Sequence, residues 1–234
     1  MLEQNTPNDI STRIAPQVGS SEFVAKRQKI VIGVTGHRNI DRQDRKLKAL
    51  IRKECRALAR AHADKSFVIL SGLAEGADRM VARIVMKELD AKLIAVLAVP
   101  RESFVTDFET AASRREFTTL LNRADHIITA PLLSKQAWKT YSPARDRQYA
   151  WEGAFLVLQS NVLMAVWDGA ASRGHGGTGD VVRWFRRRKV PKICLNGSAQ
   201  LARAAKLPAR QVPRKKRTLL HFHPESHMVD QYGF

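Results

Sequence analysis

Two kinds of pattern alternate along the chain: short runs rich in β-branched residues that end at Gly, Pro or Asp, and longer stretches with apolar residues three or four apart. Gln28–Thr35 contains Ile30-Val31-Ile32-Gly33-Val34-Thr35, which reads as a buried strand. From Asp41, apolar residues at 47, 50, 51, 55 and 58 mark one helix face. Ser66–Leu70 is a second strand, Ser71–Asp78 a loop, and Met80, Val81, Ile84, Val85 and Leu89 the inner face of a second helix. Leu93–Val99 is a third strand, closed by Pro100, and residues 101–112 read as a loop with some helical turn. Ser113 is placed to cap a short helix through Asn122, with Glu116 as its reciprocal capping partner. Asp125–Ala130 is a fourth strand, and 131–144, with two prolines, a loop over one edge. Arg145–Ser160 is helical, with Tyr149, Phe155, Leu156 and Leu158 available for packing. Asn161–Trp167 is a fifth strand, Gly179–Lys189 a helix and Lys192–Leu195 a sixth strand.

Strands alternating with helices predict an α/β fold: a Rossmann-like three-layer sandwich with a mostly parallel sheet of about six strands. The domain is expected over 28–196, between a flexible N-terminal arm (1–27) and a basic, flexible tail (197–234) that carries Pro208, Pro213 and Arg214-Lys215-Lys216-Arg217. In such sheets ligands bind where loops meet at the carboxyl ends of the strands. Four segments converge there: 35–39, 71–78, 168–178 and the one leading into Arg145.

Composition narrows the class. Apolar residues make up 44% of 234, enough for a full core, and no apolar run is long enough to cross a bilayer, so no membrane partner is expected. Met1–Ser21 is polar, without the apolar centre of a signal peptide, and Cys55 and Cys194 offer neither a disulfide framework nor zinc spacing. A cytoplasmic protein is the expectation, and a homo-oligomer is compatible with it. The net charge of +18 is concentrated: Arg183–Arg217 holds 13 Lys or Arg without an acid, and Arg38–Arg60 nine against Asp41, Asp44 and Glu54. Non-specific nucleic-acid binding and a solvated basic face both fit this distribution.

The chemistry lies in the glycine loops. Asp168-Gly169 ends the fifth apolar run, and the stretch to Thr178 is dense in glycine before a helix begins. Such a loop presents backbone N–H groups at a helix N-terminus, where phosphate is stabilised. Asp168 either meets a ribose hydroxyl or caps the loop. Gly33-Val34-Thr35-Gly36-His37-Arg38 lacks the third glycine of the dinucleotide fingerprint. It still brings backbone close to a ligand, with Arg38 as a phosphate or ribose contact. In Ser71-Gly72-Leu73-Ala74-Glu75-Gly76-Ala77-Asp78, Asp78 stands at a helix start as a site residue or a cap.

Together, Val31–Arg38, Ile69–Asp78 and Gly176-Gly177-Thr178 resemble the SLOG superfamily of Rossmann-like domains, over roughly 28–196. That group includes the LONELY GUY phosphoribohydrolases and the DNA-processing protein A (Smf) family. The Ser71–Gly76 segment is similar to the corresponding motif of the latter family, and Arg145-Asp146-Arg147 to its Arg-Asn-Arg segment. The resemblance implies a nucleotide or nucleotide-derived ligand held by its phosphates, with no separate cofactor. Gly36, His37, Arg38, Ser71, Gly72, Glu75, Gly76, Asp78, Asp168, Gly176, Gly177 and Thr178 are the expected ligand-binding residues. LONELY GUY enzymes carry Pro-Gly-Gly-x-Gly-Thr-x-x-Glu, and the Glu position is Val181 here. Asp180 lies one residue earlier, about 100° around a helix. Binding or sensing is therefore the leading expectation. Nucleoside 5′-monophosphate hydrolysis is the alternative, with Arg145, Arg147 and Asp180 as candidate catalytic residues. Single-stranded DNA binding is a further one. His221, His223 and His227 cluster in sequence, but they fall in the expected tail without cysteine, so no metal is assigned. Trp138, Trp151, Trp167 and Trp184 serve either base stacking or core packing.

Overall fold

The computed structural model describes residues 28–138, 142–172, 174–195, 197–207 and 217–234. The expected arm 1–27 and the basic residues Arg210, Arg214, Lys215 and Lys216 lie outside them. Seven strands form one sheet in the order β4-β3-β2-β1-β5-β6-β7. They are β1 Lys29–Gly36, β2 Ser66–Ser71, β3 Lys92–Leu97, β4 His126–Thr129, β5 Val162–Val166, β6 Thr218–His223 and β7 Met228–Gly233. All pairs are parallel except β6–β7.

The helices are α1 Arg45–Ala61, α2 Ala77–Leu89, α3 Arg101–Phe104, α4 Ala111–Asn122, α5 Pro143–Gln159, α6 Thr178–Arg187 and α7 Ser198–Ala204. Alternation along the strands feeds two cores. Ile32, Val34 and Ile69 pack with Leu47, Ile51, Val81, Val85 and Phe117 beneath α1, α2 and α4. Val31, Val68 and Leu70 pack with Trp151, Phe155, Val181 and Phe185 beneath α5 and α6. This is the expected three-layer α/β sandwich. No helix among the described residues is long and apolar enough to cross a membrane.

Three expectations are corrected. Lys192–Leu195 is a 3₁₀ turn rather than a strand. Pro191 starts it, and its carbonyl accepts the Cys194 N–H at 3.0 Å, burying the thiol against the α5–α6 side. The place beside β5 is taken by β6, so the region from 197 is no free tail. Its α7, β6 and β7 belong to the same domain, and the expected boundary at 196 does not hold. Leu219, Leu220 and Phe222 are almost wholly buried, and this apolar content outweighs the basic run before it. Arg217, expected in the solvated run, is 9% exposed. It donates to the carbonyls of Val157 and Ser160 and lies over the Phe185 ring at 4.0 Å. The third correction is the cap of α4. Thr110, not Ser113, is the N-cap, its Oγ1 accepting the Ser113 N–H at 3.1 Å. Glu116 turns away from the cap because Arg79, Arg42 and Arg83 offer it charge-assisted bonds.

Candidate functional site

A cavity of about 730 Å³ opens at the carboxyl ends of β1 and β5. β1 has β2 on one side and β5 on the other, so the strand order reverses at this point. Open α/β sheets leave a crevice there that no crossover covers. Six expected ligand residues line it: Gly36, His37, Arg38, Asp168, Gly177 and Thr178. Asn39, Asp41, Trp167, Ser172, Gly179 and the β6–β7 turn residues Pro224 and Glu225 join them. The sequence gives no sign of the turn contribution, because the basic run before it has the character of a tail.

Backbone bonds tie the loops into one unit. His37 N–H donates to Val166 O and His37 O accepts from Ala77 N, both at 3.0 Å, joining β5, the β1 loop and the start of α2. Gly76 has φ +75°, and a Cβ there would sit 2.2 Å from Arg38 O. Only glycine allows that approach. On the other side Gly176, at φ +85°, abuts the α5 backbone, where a Cβ would lie 2.4 Å from Ala150 N.

The start of α6 turns its first N–H groups toward the cavity. Gly177 is the N-cap and has no side chain to offer, and the Ser172 hydroxyl accepts the Asp180 N–H at 2.7 Å, one residue beyond Gly179. The Thr178 and Gly179 N–H groups have no hydrogen-bond partner among the described residues, and both residues face the cavity. Thr35 Oγ1 reaches Thr178 Oγ1 at 3.5 Å, so two hydroxyls stand side by side across β1 and α6. Asp168 accepts from Ala170 N at 2.9 Å and stands 3.1 Å from His37 Nε2. The Ala170 N–H, with His37, holds its carboxylate below the usual range. Of its two sequence readings, capping the loop is realised, and the residue also lines the cavity.

The remaining expected residues stand elsewhere. Ser71 is fully buried and its Oγ accepts from Leu73 N at 3.0 Å, shaping the turn. Glu75 accepts from the Ser113 hydroxyl, pointing at α4. Gly72, Gly76, Asp78 and Gly176 do not line the cavity. None of the three catalytic candidates reaches the cavity. Arg145 is 2% exposed and donates to Ser103 Oγ, Ser103 O, Ala137 O and Asp107 Oδ1 at 2.8–3.0 Å. It fastens the 100–107 and 135–138 turns to α5. Arg147 is exposed and lines no part of the cavity. Asp180 accepts from Gly176 N at 3.0 Å and from Arg183 Nη2 at 2.5 Å, so both carboxylate oxygens are engaged in holding the glycine loop. The rotation that takes Asp180 off the Glu position turns it back onto its own loop. Trp151 and Trp184 are core residues, and only Trp167 of the four tryptophans lines the cavity.

A residue that the sequence reading passed over stands behind Arg38. Glu152 on α5 is 9% exposed and has no hydrogen-bond partner among the described residues. Its carboxyl presses on Gly72, where a Cβ would fall 2.1 Å from Oε1. Asp78, 6% exposed, accepts N–H bonds from Ala74 and Gly72, so both carboxyls meet at the Gly72 backbone. Burial pushes Asp78 up to about 7 against those N–H bonds and the Arg38 charge. Burial, with Asp78 adding to it, pushes Glu152 well above the carboxylate range. The pair therefore retains at least one proton at neutral pH. Arg38 faces both acids and donates to Tyr149 Oη at 3.4 Å, and that hydroxyl in turn donates to Asp107. The signal was present: Glu152 is the only charged residue in Ala150–Leu158 of an otherwise apolar helix face.

No family model matches this chain, and no curated protein matches it.

Proposed function

We propose that the cavity binds a nucleotide or nucleotide-derived small molecule by its phosphate. The observation that carries this reading is the N-terminus of α6, where the Thr178 and Gly179 N–H groups, without a partner among the described residues, face a crevice at the switch point of the sheet. Phosphate oxygens accept from those groups and from the Thr178 hydroxyl. Arg38 supplies the charge, and His37 and Asp168 flank a sugar hydroxyl. Calorimetry against AMP, NAD, ADP-ribose and cyclic nucleotides tests it. At least one ligand binds saturably, and Thr178→Ala weakens it about tenfold by removing one charge-assisted bond. A folded wild-type protein that binds none of them removes the reading.

A further inference from the structure

A cluster on the β6–β7 hairpin has no part in the reading above. The antiparallel register sets His221 opposite Asp230, and His223 follows two residues along, so all three side chains share one face. The two imidazoles lie with centroids 3.8 Å apart. One donor atom from each of the three residues lies within 4.8 Å of the others. His227, which the sequence groups with them, is drawn away to Asp44 at 2.7 Å.

Protonation fits a cation. The Trp167 carbonyl can only accept, so its 3.0 Å contact with His221 Nε2 places the proton there and leaves Nδ1 with a bare lone pair. A backbone carbonyl holding the second nitrogen is the usual support of a metal-ligating imidazole. Neutral imidazole and ionised carboxylate are the forms that coordinate.

We propose that His221, His223 and Asp230 bind a divalent transition-metal ion of the zinc type. Two imidazoles and one carboxylate suit zinc, nickel or copper over magnesium or calcium, which prefer all-oxygen sets. The ion replaces the direct His223–Asp230 hydrogen bond of 2.9 Å. Donors about 2 Å from a common centre lie closer together than 4.8 Å, and the half-exposed Asp230 side chain supplies that movement. The bound ion ties β6 to β7 and, through the His221–Trp167 contact, to the end of β5. Trp167 and the turn residues Pro224 and Glu225 line the phosphate cavity, so the metal sits at its rim.

The test uses the full chain, free of any histidine tag and stripped with chelator, titrated with zinc chloride by calorimetry. One equivalent binds, and Asp230→Asn and His223→Gln each weaken it at least about tenfold. Cobalt substitution then gives visible d–d bands that either variant abolishes. Circular dichroism confirms that both variants fold, and His227→Gln binds as wild type does. Absence of saturable zinc binding overturns the proposal, as does binding that survives Asp230→Asn and His223→Gln.

Discussion

Replacing Glu152 by glutamine is expected to stabilise the protein at pH 8 by about 2 kcal/mol, roughly 6 °C in Tm, and to leave it little changed near pH 4. The acid is buried without a hydrogen-bond partner among the described residues, beside a second buried acid. Both folded-state values lie above those of an unfolded chain, so the native state holds more protons between about pH 4 and 7. Stability from this pair is full below pH 4 and is lost as pH rises through about 7. Glutamine keeps the shape without the proton, so the gain should grow with pH. Thermal melts of both proteins from pH 4 to 8.5 read it directly. Equal destabilisation at every pH would show instead that the Glu152 carboxyl is satisfied and structural. A stabilising substitution that also abolishes ligand binding or turnover is the mark of a group retained for function at the expense of the fold.

Arg145→Ala is expected to cost about 3–5 kcal/mol, because it takes the charge partner from the buried Asp107 carboxylate, leaving it the Tyr149 hydroxyl, and leaves the Ser103 and Ala137 carbonyls without their donor. Arg145→Lys does not rescue it, since an ammonium cannot fill four acceptors held in the plane of a guanidinium. Denaturant melts measure the loss, and ligand affinity of the folded fraction is unchanged. Arg38→Ala shows the opposite profile: stability within about 1 kcal/mol of wild type and affinity about tenfold weaker. Loss of affinity in Arg145→Ala without loss of stability would return Arg145 to the site.

The contrast between these arginines shows what the sequence could reveal. Glycine at 36, 72, 76, 176 and 177, in the loops that follow the apolar runs, marks those loops, because close backbone approach leaves a compositional trace. The fates of polar side chains within those loops left none. Arg38 and Arg145 look alike in sequence, and only the turn at 100–107 decides that one is enclosed. Asp180 was readable as misplaced from helical periodicity, but its bond to Gly176 N was not. Glu152 had a signal of its own, a lone acid among Trp151, Gly153, Ala154 and Phe155, overshadowed by the glycine motifs. In the C-terminal region charge and apolar pattern diverge: thirteen basic residues precede and conceal the apolar strand that follows them.

That strand bears on how the molecule is made. β5 is a central strand, yet its partner β6 is synthesised only after α6, α7 and the basic run. Until residues 218–223 emerge, a ribosome-bound chain carries β1 to β5 with one open apolar edge at Val162–Val166. An edge of that kind pairs with whatever strand it meets first. Like charge in the run between α6 and β6 disfavours close approach of two such chains at low salt. The last stretch made before that edge closes is therefore the most basic part of the sequence.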